Sequence, residues 1–497
     1  MGVTGIGVVG IGVVGIGVAR RVTGVGSDDV ASEAAATPHA DFPRALALLG
    51  AGAMFMEILD ATIVVTALPS MAADLGVDAI DATGVVTAYL ITLAVLIPLS
   101  SWLADRFGMR RVFLTALVVF TVASLGCALA PSLPVLIGMR VAQAAGGAMM
   151  VPVGRLAVLR AVHVGDVARA IAYLTWPALV APVLAPLLGG LIVEHADWRV
   201  IFAINIPIGV LGVVAALRIL SPDGPRADTP LDAIGAAGAI IAIGAAMAVA
   251  EMLTAAPIRW LVVAIGVIVA AVVGALTIRH LRRAAHPLLN LAVLRVKSFG
   301  SVIGYGTGYR MAISAVPFVV PLMLQLRLGW SPVTAGAMVT ALFAGNVVIK
   351  PATTPLMRRW GIRQVLLAVA VASAITFAGL ALIGEQTPPV LIAIGLFVSG
   401  MLRSIGFSAY NTVAFADVDA TQLGDANALH AAVQELGNAF GVALASVTIA
   451  LVGGGVGALP AGGYSVVFLA LAVVMIICGV GAARLPSRVG AHALGGN

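Results

Sequence analysis

The chain is written in long apolar runs separated by short polar breaks. Fourteen runs fall at roughly 45–69, 83–103, 111–130, 134–158, 168–193, 199–219, 232–253, 260–279, 299–325, 332–356, 364–383, 389–415, 429–453 and 464–483. About 20 apolar residues in a helix cross the hydrocarbon core of a bilayer. Inside that core every backbone N–H and C=O must be paired within the segment or a closed barrel. Runs of this length therefore predict an all-α polytopic membrane protein with fourteen transmembrane helices.

The polar breaks alternate in charge. Arg106, Arg110 and Arg111 follow the second run, Arg160 and Arg169 the fourth, and Arg279, Arg282, Arg283, Arg295 and Lys297 the eighth. Arg358, Arg359 and Arg363 follow the tenth, and Arg484 and Arg488 the last. The intervening breaks carry mainly Asp74, Asp78, Asp81, Glu194, Asp197 and Glu385. The positive-inside rule puts the basic set and both termini in the cytoplasm, which agrees with an even number of spans.

The first run contains Glu57 and Asp60. A carboxylate at mid-bilayer costs about 2.5–3.5 kcal/mol on insertion scales, so it points to function. Three residues apart on a helix, the two share a face and are expected to titrate as a pair. The alternative is that both only pair with basic residues on neighbouring spans. Further cations lie inside later runs: Arg140 and Arg155 in the fourth, Arg310 in the ninth, Lys350 in the tenth and Arg403 in the twelfth. Arg155 is near enough to an interface to snorkel. Arg310, Lys350 and Arg403 are candidates for lining a substrate cavity, with Asn411 and Gln434 as hydrogen-bonding partners and Glu435 as a second carboxylate region; Asn346 and Tyr410 join the polar set. Each polar residue alone is also ordinary glue between helices.

Composition sharpens this picture. The chain of 497 residues is 61% hydrophobic and 10% charged, with a mean hydropathy of +1.10. Fifty-seven glycines suit close helix packing in lipid. The net charge of +6 is spread over short loops and reads as topology, not as nucleic-acid binding. Cys127 and Cys478 both fall within apolar runs, so neither a disulfide framework nor a metal site is expected. No H-E-x-x-H, G-x-S-x-G or P-loop pattern occurs, so the matching hydrolases and ATP-driven pumps are not indicated and the chain does not read as an enzyme. No cofactor is called for. An ion gradient remains as the energy source, and the carboxylates favour protons over sodium.

Residues 1–43 open on a Gly/Val repeat and read as a disordered or misassigned extension. Further on, Leu-Ala-Asp-Arg-Phe-Gly-Met-Arg-Arg at 103–111 is echoed by Leu-Met-Arg-Arg-Trp-Gly-Ile-Arg-Gln at 356–364. Repeated halves are typical of secondary transporters that bind substrate between them. The echo follows the tenth run, which makes the seventh and eighth an insertion. The expected units are a six-helix bundle over 44–220, two inserted helices and a basic loop over 221–298, a second bundle over 299–485 and a tail over 486–497.

Four motifs then carry a resemblance. Leu59-Asp-Ala-Thr-Ile-Val-Val-Thr-Ala-Leu-Pro69, Leu103–Arg111, Arg140-Val-Ala-Gln-Ala-Ala-Gly146 and Trp198-Arg-Val-Ile-Phe-Ala-Ile-Asn-Ile-Pro-Ile-Gly209 resemble the motifs of the major facilitator superfamily, in its fourteen-span drug:proton antiporter branch. The segment Ala181-Pro-Val-Leu-Ala-Pro-Leu-Leu-Gly-Gly190 is similar to that branch's antiporter motif. It keeps Pro182, Pro186, Gly189 and Gly190 and has Ala181 and Ala185 where glycine is usual, which weakens antiport relative to symport. The resemblance implies two six-helix bundles plus two inserted helices, a conformational latch at Asp105, Arg106, Gly108 and Arg111, and proton coupling through Asp60, Glu57 and Arg140, with Arg140 facing the central cavity. It further implies a monomer in the inner membrane exporting amphipathic drugs or toxic metabolites against protons. Arg310, Lys350 and Arg403 motivate one alternative, an exporter of organic anions; a transport-inactive receptor or scaffold is the other.

Overall fold

A computed structural model describes residues 42–162, 167–223, 230–254, 258–285, 287–419, 422–453, 462–486 and 489. The N-terminal extension expected over 1–43 and the tail over 486–497 lie almost entirely outside these residues. Among the described residues all regular structure is helical. The principal helices are α1 (Arg44–Leu75), α2 (Gly84–Leu96), α3 (Met109–Ala128), α4 (Leu133–Ala161), α5 (Val167–His195), α6 (Asn205–Ile219), α7 (Ala233–Thr254) and α8 (Trp260–Leu281). The chain continues through α9 (Thr307–Leu322), α10 (Pro332–Val348), α11 (Ile362–Ala381), α12 (Pro389–Ala416), α13 (Leu423–Gly453) and α14 (Gly462–Ala483).

Eleven helical stretches among the described residues are long and apolar enough to cross a membrane. The count is twelve if α10 and the following Lys350–Trp360, bent by 51°, form one span. Length and composition thus support eleven or twelve spans where the sequence predicts fourteen. The runs at 83–103 and 168–193 supply the shorter apolar helices Gly84–Leu96 and Leu179–His195. Proline accounts for the first break. Pro98 separates α2 from Leu99–Phe107, because proline removes an amide donor and crowds the preceding turn. The ninth run is also irregular: π turns at Val302–Gly306 and Met323–Arg327 flank α9.

The helices pack as two groups. In the first, α1 lies against α4, α5 and α6, while α4 also packs on α2 and α3. In the second, α9 packs on α13, α10 on α12, and α11 on α12 and α14. The inserted α7 and α8 pack on each other, and α7 also touches α2 and α13 across the seam between the groups. α8 is outermost and exposes Trp260, Leu261, Ile268, Val272 and Leu276. A helix apolar all round and buried on little of its surface is matched to lipid.

The groups are stitched together at one end. Ser446 Oγ bonds Thr83 Oγ1 at 3.4 Å, Gln325 Nε2 donates to Thr66 O at 3.1 Å, and Val333 N donates to Glu194 at 3.2 Å. Thr340 Oγ1 donates to Val183 O at 3.1 Å a little deeper. Close backbone approach allows this seam. A Cβ on Gly190 would strike the Pro332 carbonyl, and one on Gly336 would strike that of Pro186. The glycine requirement is therefore reciprocal between α5 and α10.

Candidate functional site

Between the groups lies a cavity of about 1030 Å³. Its wall includes Glu57 from α1, Arg310 from α9, Lys350, Arg403 and Phe407 from α12, and Gln434 and Glu435 from α13. Ile97, Ser100 and Arg155 line it toward the end opposite the stitched seam. The volume is at the upper end of the range for pockets that enclose small organic molecules.

Asp60 and Arg140 are absent from this wall. Asp60 is 1% exposed and Arg140 is fully buried, and they form an ion pair inside the N-terminal group. Asp60 Oδ2 accepts from Arg140, and Oδ1 accepts from Gln143 Nε2 at 2.9 Å and Asn205 Nδ2 at 2.7 Å. Arg140 also donates to Gln143 Oε1 at 2.6 Å and to Val85 O at 3.3 Å. Gln143 Nε2 reaches Ser124 Oγ at 2.7 Å. The guanidinium lies 4.0 Å from the centroid of the Tyr89 ring, a cation–π arrangement. Side chains from α1, α2, α3, α4 and α6, with the Val85 carbonyl of α2, thus surround one charge pair. The expectation that Arg140 faces the cavity is corrected. So is the shared face of Glu57 and Asp60. Three residues advance a helix by about 300°, leaving an offset of about 60°. That offset is enough to send Glu57 into the cavity and Asp60 into the helix bundle.

The C-terminal cations are treated differently. Lys350 Nζ donates to Ser408 Oγ at 3.1 Å, and Arg403 donates to Ile313 O at 3.0 Å. Arg310 Nε is buried without a partner. Lys350 sits at the bend after α10, not within a straight tenth span. Phe407 packs between cations, its centroid 4.8 Å from Arg310 and 5.9 Å from Lys350. Glu435 Oε2 accepts from Asn438 Nδ2 at 2.9 Å. Glu57 and Glu435 face the same space from opposite groups and interact electrostatically.

Asn411 does not line the large cavity. It lines a pocket of about 20 Å³ beside it, shared with Arg310, Phe407 and Gln434, a volume that suits a single water. Its Oδ1 accepts from Gln434 Nε2 at 2.9 Å and lies 2.7 Å from His430 Nε2. His430 was not legible as part of this cluster, because a lone histidine in an apolar run carries no spacing signal.

At the other motif, Asp105 pairs with Arg160 at 3.4 Å, both substantially exposed. Arg106 is exposed. Gly108 has φ +96° and stands against Asp223. Asp223 accepts from the amides of Arg110 at 2.8 Å and Arg111 at 3.3 Å, closing the first turn of α3, and lies 4.0 Å from the Arg111 side chain. In the antiporter-like segment Pro182 and Pro186 line the cavity, Gly189 backs onto Ile63 and Thr66 of α1, and Gly190 meets α10.

The family profile described as Major Facilitator Superfamily matches residues 50–442 and again 302–493. The chain belongs to the Major Facilitator Superfamily. Among its curated relatives is MdtD of Klebsiella pneumoniae (strain 342), a protein named for multidrug resistance. It is 35% identical over 451 residues, covering 88% of this chain and 94% of MdtD. MdtD of Shigella sonnei (strain Ss046) is 37% identical over 404 residues, covering 80% and 84%. Among solved structures, a peptide transporter POT in complex with sulfate aligns with TM-score 0.69 at 15% identity over 91% of this chain and 97% of that one. A D-xylose-proton symporter aligns with TM-score 0.63 at 15% identity over 90% and 99%. These likenesses establish a major facilitator fold and a multi-pass membrane transporter, not an enzyme.

Proposed function

We propose that the chain is a proton-coupled exporter of small molecules, working as an antiporter by alternating access in the bacterial inner membrane. One observation carries this reading: a large cavity between two helix groups, closed at one end, with a carboxylate from each group on its wall. The MdtD relatives are named for multidrug resistance, which supports drugs as the exported class; toxic metabolites of similar amphipathic character belong to the same reading. The positive-inside rule supports cytoplasmic termini and a cavity that opens inward here, since Arg155 lies toward the open end and Glu194 at the closed one. A monomer suffices, because both walls of the cavity come from one chain.

Glu57 is the carboxylate that cavity water reaches, with Glu435 opposite it. Asp60 and Arg140 stand behind Glu57 and hold α1, α4 and α6 in register, so a rearrangement of the N-terminal group is felt at Glu57. Asp105, Arg106, Gly108 and Arg111 form the loop that engages when the open end closes. The test is transport in proteoliposomes under an imposed pH gradient. Glu57→Gln should lose accumulation against a gradient by tenfold or more while keeping counterflow, which needs no net proton movement. Proton-driven accumulation at the unaltered rate by Glu57→Gln and by Glu57→Gln/Glu435→Gln would refute the assignment.

A further inference from the structure

Arg310, Lys350 and Arg403 extend from three helical segments of the C-terminal group onto the wall of one cavity. Among the described residues none of them has a carboxylate within 4.0 Å, whereas Arg140, Arg160 and Arg199 each do. The hydrogen bonds they do make are to neutral groups, the Ser408 hydroxyl and the Ile313 carbonyl, and Arg310 Nε makes none. Glu435 is the one acidic residue of this group on the described wall; it acts on Arg310 electrostatically without reaching ion-pair distance, and Asn438 already occupies one of its oxygens. The wall as a whole carries Arg155, Arg310, Lys350 and Arg403 against Glu57 and Glu435.

A buried cation without a counter-charge is costly. Such a site is retained where a ligand supplies the missing charge, and guanidinium and ammonium groups form their strongest hydrogen bonds with oxyanions. The rings beside these cations indicate the rest of the ligand. Phe407 stands beside Arg310 and Lys350, and Phe343 lies with its centroid 5.4 Å from Arg403. Both rings line the cavity and offer faces to an apolar body.

The geometry points to an amphipathic organic anion as the substrate, its oxyanion head among Arg310, Lys350 and Arg403 and its apolar body along Phe343 and Phe407. This assignment rests on the export reading above and narrows it. It gives the two walls separate tasks. The C-terminal cations hold the anion, and Glu57 on the facing wall stays available to a proton. A cationic amphiphile would have to displace nothing at Glu57 but would meet Lys350 and Arg403, which have no carboxylate partner, and Arg310, which feels only the more distant Glu435.

The test uses four probes with one naphthalene body: 2-naphthoate, 2-naphthalenesulfonate, 2-naphthylmethanol and 2-naphthylmethylammonium. Binding to the purified full chain is measured by equilibrium dialysis at pH 7. At least one oxyanion should bind tenfold or more tighter than the ammonium, and the order of carboxylate and sulfonate identifies the preferred head. Lys350→Gln and Arg403→Gln should each weaken the oxyanion about tenfold and change the alcohol less than twofold, while Lys350→Arg should restore the oxyanion. Tighter or equal binding of the ammonium, absence of oxyanion binding, or equal losses for all probes would overturn the assignment. The ranking on the unaltered chain decides the matter even where a variant does not fold. A chain that binds 2-naphthoate but does not accumulate it under a pH gradient keeps the anion site and loses the export reading. A chain that accumulates only the ammonium keeps export and loses the anion site.

Discussion

The two helix groups handle buried charge in opposite ways. The N-terminal group pairs its deepest charges with each other: Asp60 accepts from Arg140, Gln143 and Asn205 away from the cavity wall, with Arg140 Nη2 left without a hydrogen bond and, among the described residues, only Glu57 and Arg155 of its charges on that wall. The C-terminal group leaves Arg310, Lys350 and Arg403 facing the cavity with hydrogen bonds to neutral groups only, and of the three only Arg310 feels a carboxylate, Glu435, which is not within ion-pair distance. A charge satisfied by its own fold holds helices in place. A charge left unsatisfied on a cavity wall costs stability in the empty protein and returns it when a ligand arrives. The two halves of one repeat have thus diverged into a framework and a receptor surface.

The strongest way to break this comparison is to remove one charge from each side. Asp60→Ala strands Arg140 in a fully buried position, and losing one partner of a buried pair costs about 3–5 kcal/mol. Lys350→Met removes a cation that has no counter-charge, so it should leave the empty protein as stable or more stable. Thermal unfolding of the two variants in detergent, without substrate, checks this. Equal destabilisation would mean that Lys350 is as much a part of the framework as Asp60.

The comparison also assumes that the groups can part at the stitched end when the other end closes. Gly336→Ala tests the stitching. Its Cβ would press on the Pro186 carbonyl, and crowding a well-packed contact costs about 1–3 kcal/mol. Because that contact exists only while this end is closed, the cost falls on the closed state. A cysteine placed at Thr66, which is 1% exposed beside the seam, should therefore react faster with a membrane-impermeant thiol reagent added outside intact cells in Gly336→Ala than in the unaltered chain. Unchanged labelling would show that the seam tolerates an added methyl and does not set the equilibrium.

How much of this was legible in the sequence follows from the range of each interaction. The apolar runs are local, so most helices appear where the pattern puts them, and the repeat at 103–111 and 356–364 marks equivalent turns: Gly108 and Gly361 both adopt positive φ. The motif residues around Asp60, Arg140, Gln143 and Asn205 are local patterns too, and they converge on one cluster. What escaped is what only the packed chain decides. The 60° between Glu57 and Asp60 separates cavity from interior, but an i,i+3 spacing alone does not say where that boundary falls. Gly336 is one glycine among many until α5 lies against it. Asp223 reaches Arg110 across 113 residues of sequence, and no spacing rule covers such a distance.

Asp223 supplies the next prediction, a charge satisfied by the backbone. Its carboxylate closes the open amides of α3, and removing a cap costs about 0.5–2 kcal/mol. Asp223→Ala should lower the unfolding temperature less than Asp60→Ala does, and Asp223→Asn, which keeps an acceptor, should recover part of the loss. A loss from Asp223→Ala as large as that from Asp60→Ala would place the latch loop, not the buried pair, at the centre of the framework.

The smallest effect concerns the inserted helices. Asp232, just before α7, accepts from Gly235 N at 2.8 Å and Leu288 N at 3.0 Å, and lies 2.7 Å from His280 Nε2. Burial acts to raise the Asp232 pKa, but these donors outweigh it and hold the carboxyl below its ordinary value. The sign follows. A carboxylate with a lowered folded pKa contributes stability that is fully present above the unfolded value of about 3.9 and is lost as pH falls through the folded value. Asp232 ties the start of α7 to the end of α8 and to the segment leading into α9, so acid should loosen the inserted pair first. Between pH 7 and pH 3 the unfolding temperature of Asp232→Asn should fall less than that of the unaltered chain, because the variant has no carboxylate there to protonate. Parallel curves would show that the pair is held by α7 packing on α2 and α13 and that Asp232 adds nothing. A self-satisfied charge at the edge of the fold would then differ in kind from Asp60 at its centre.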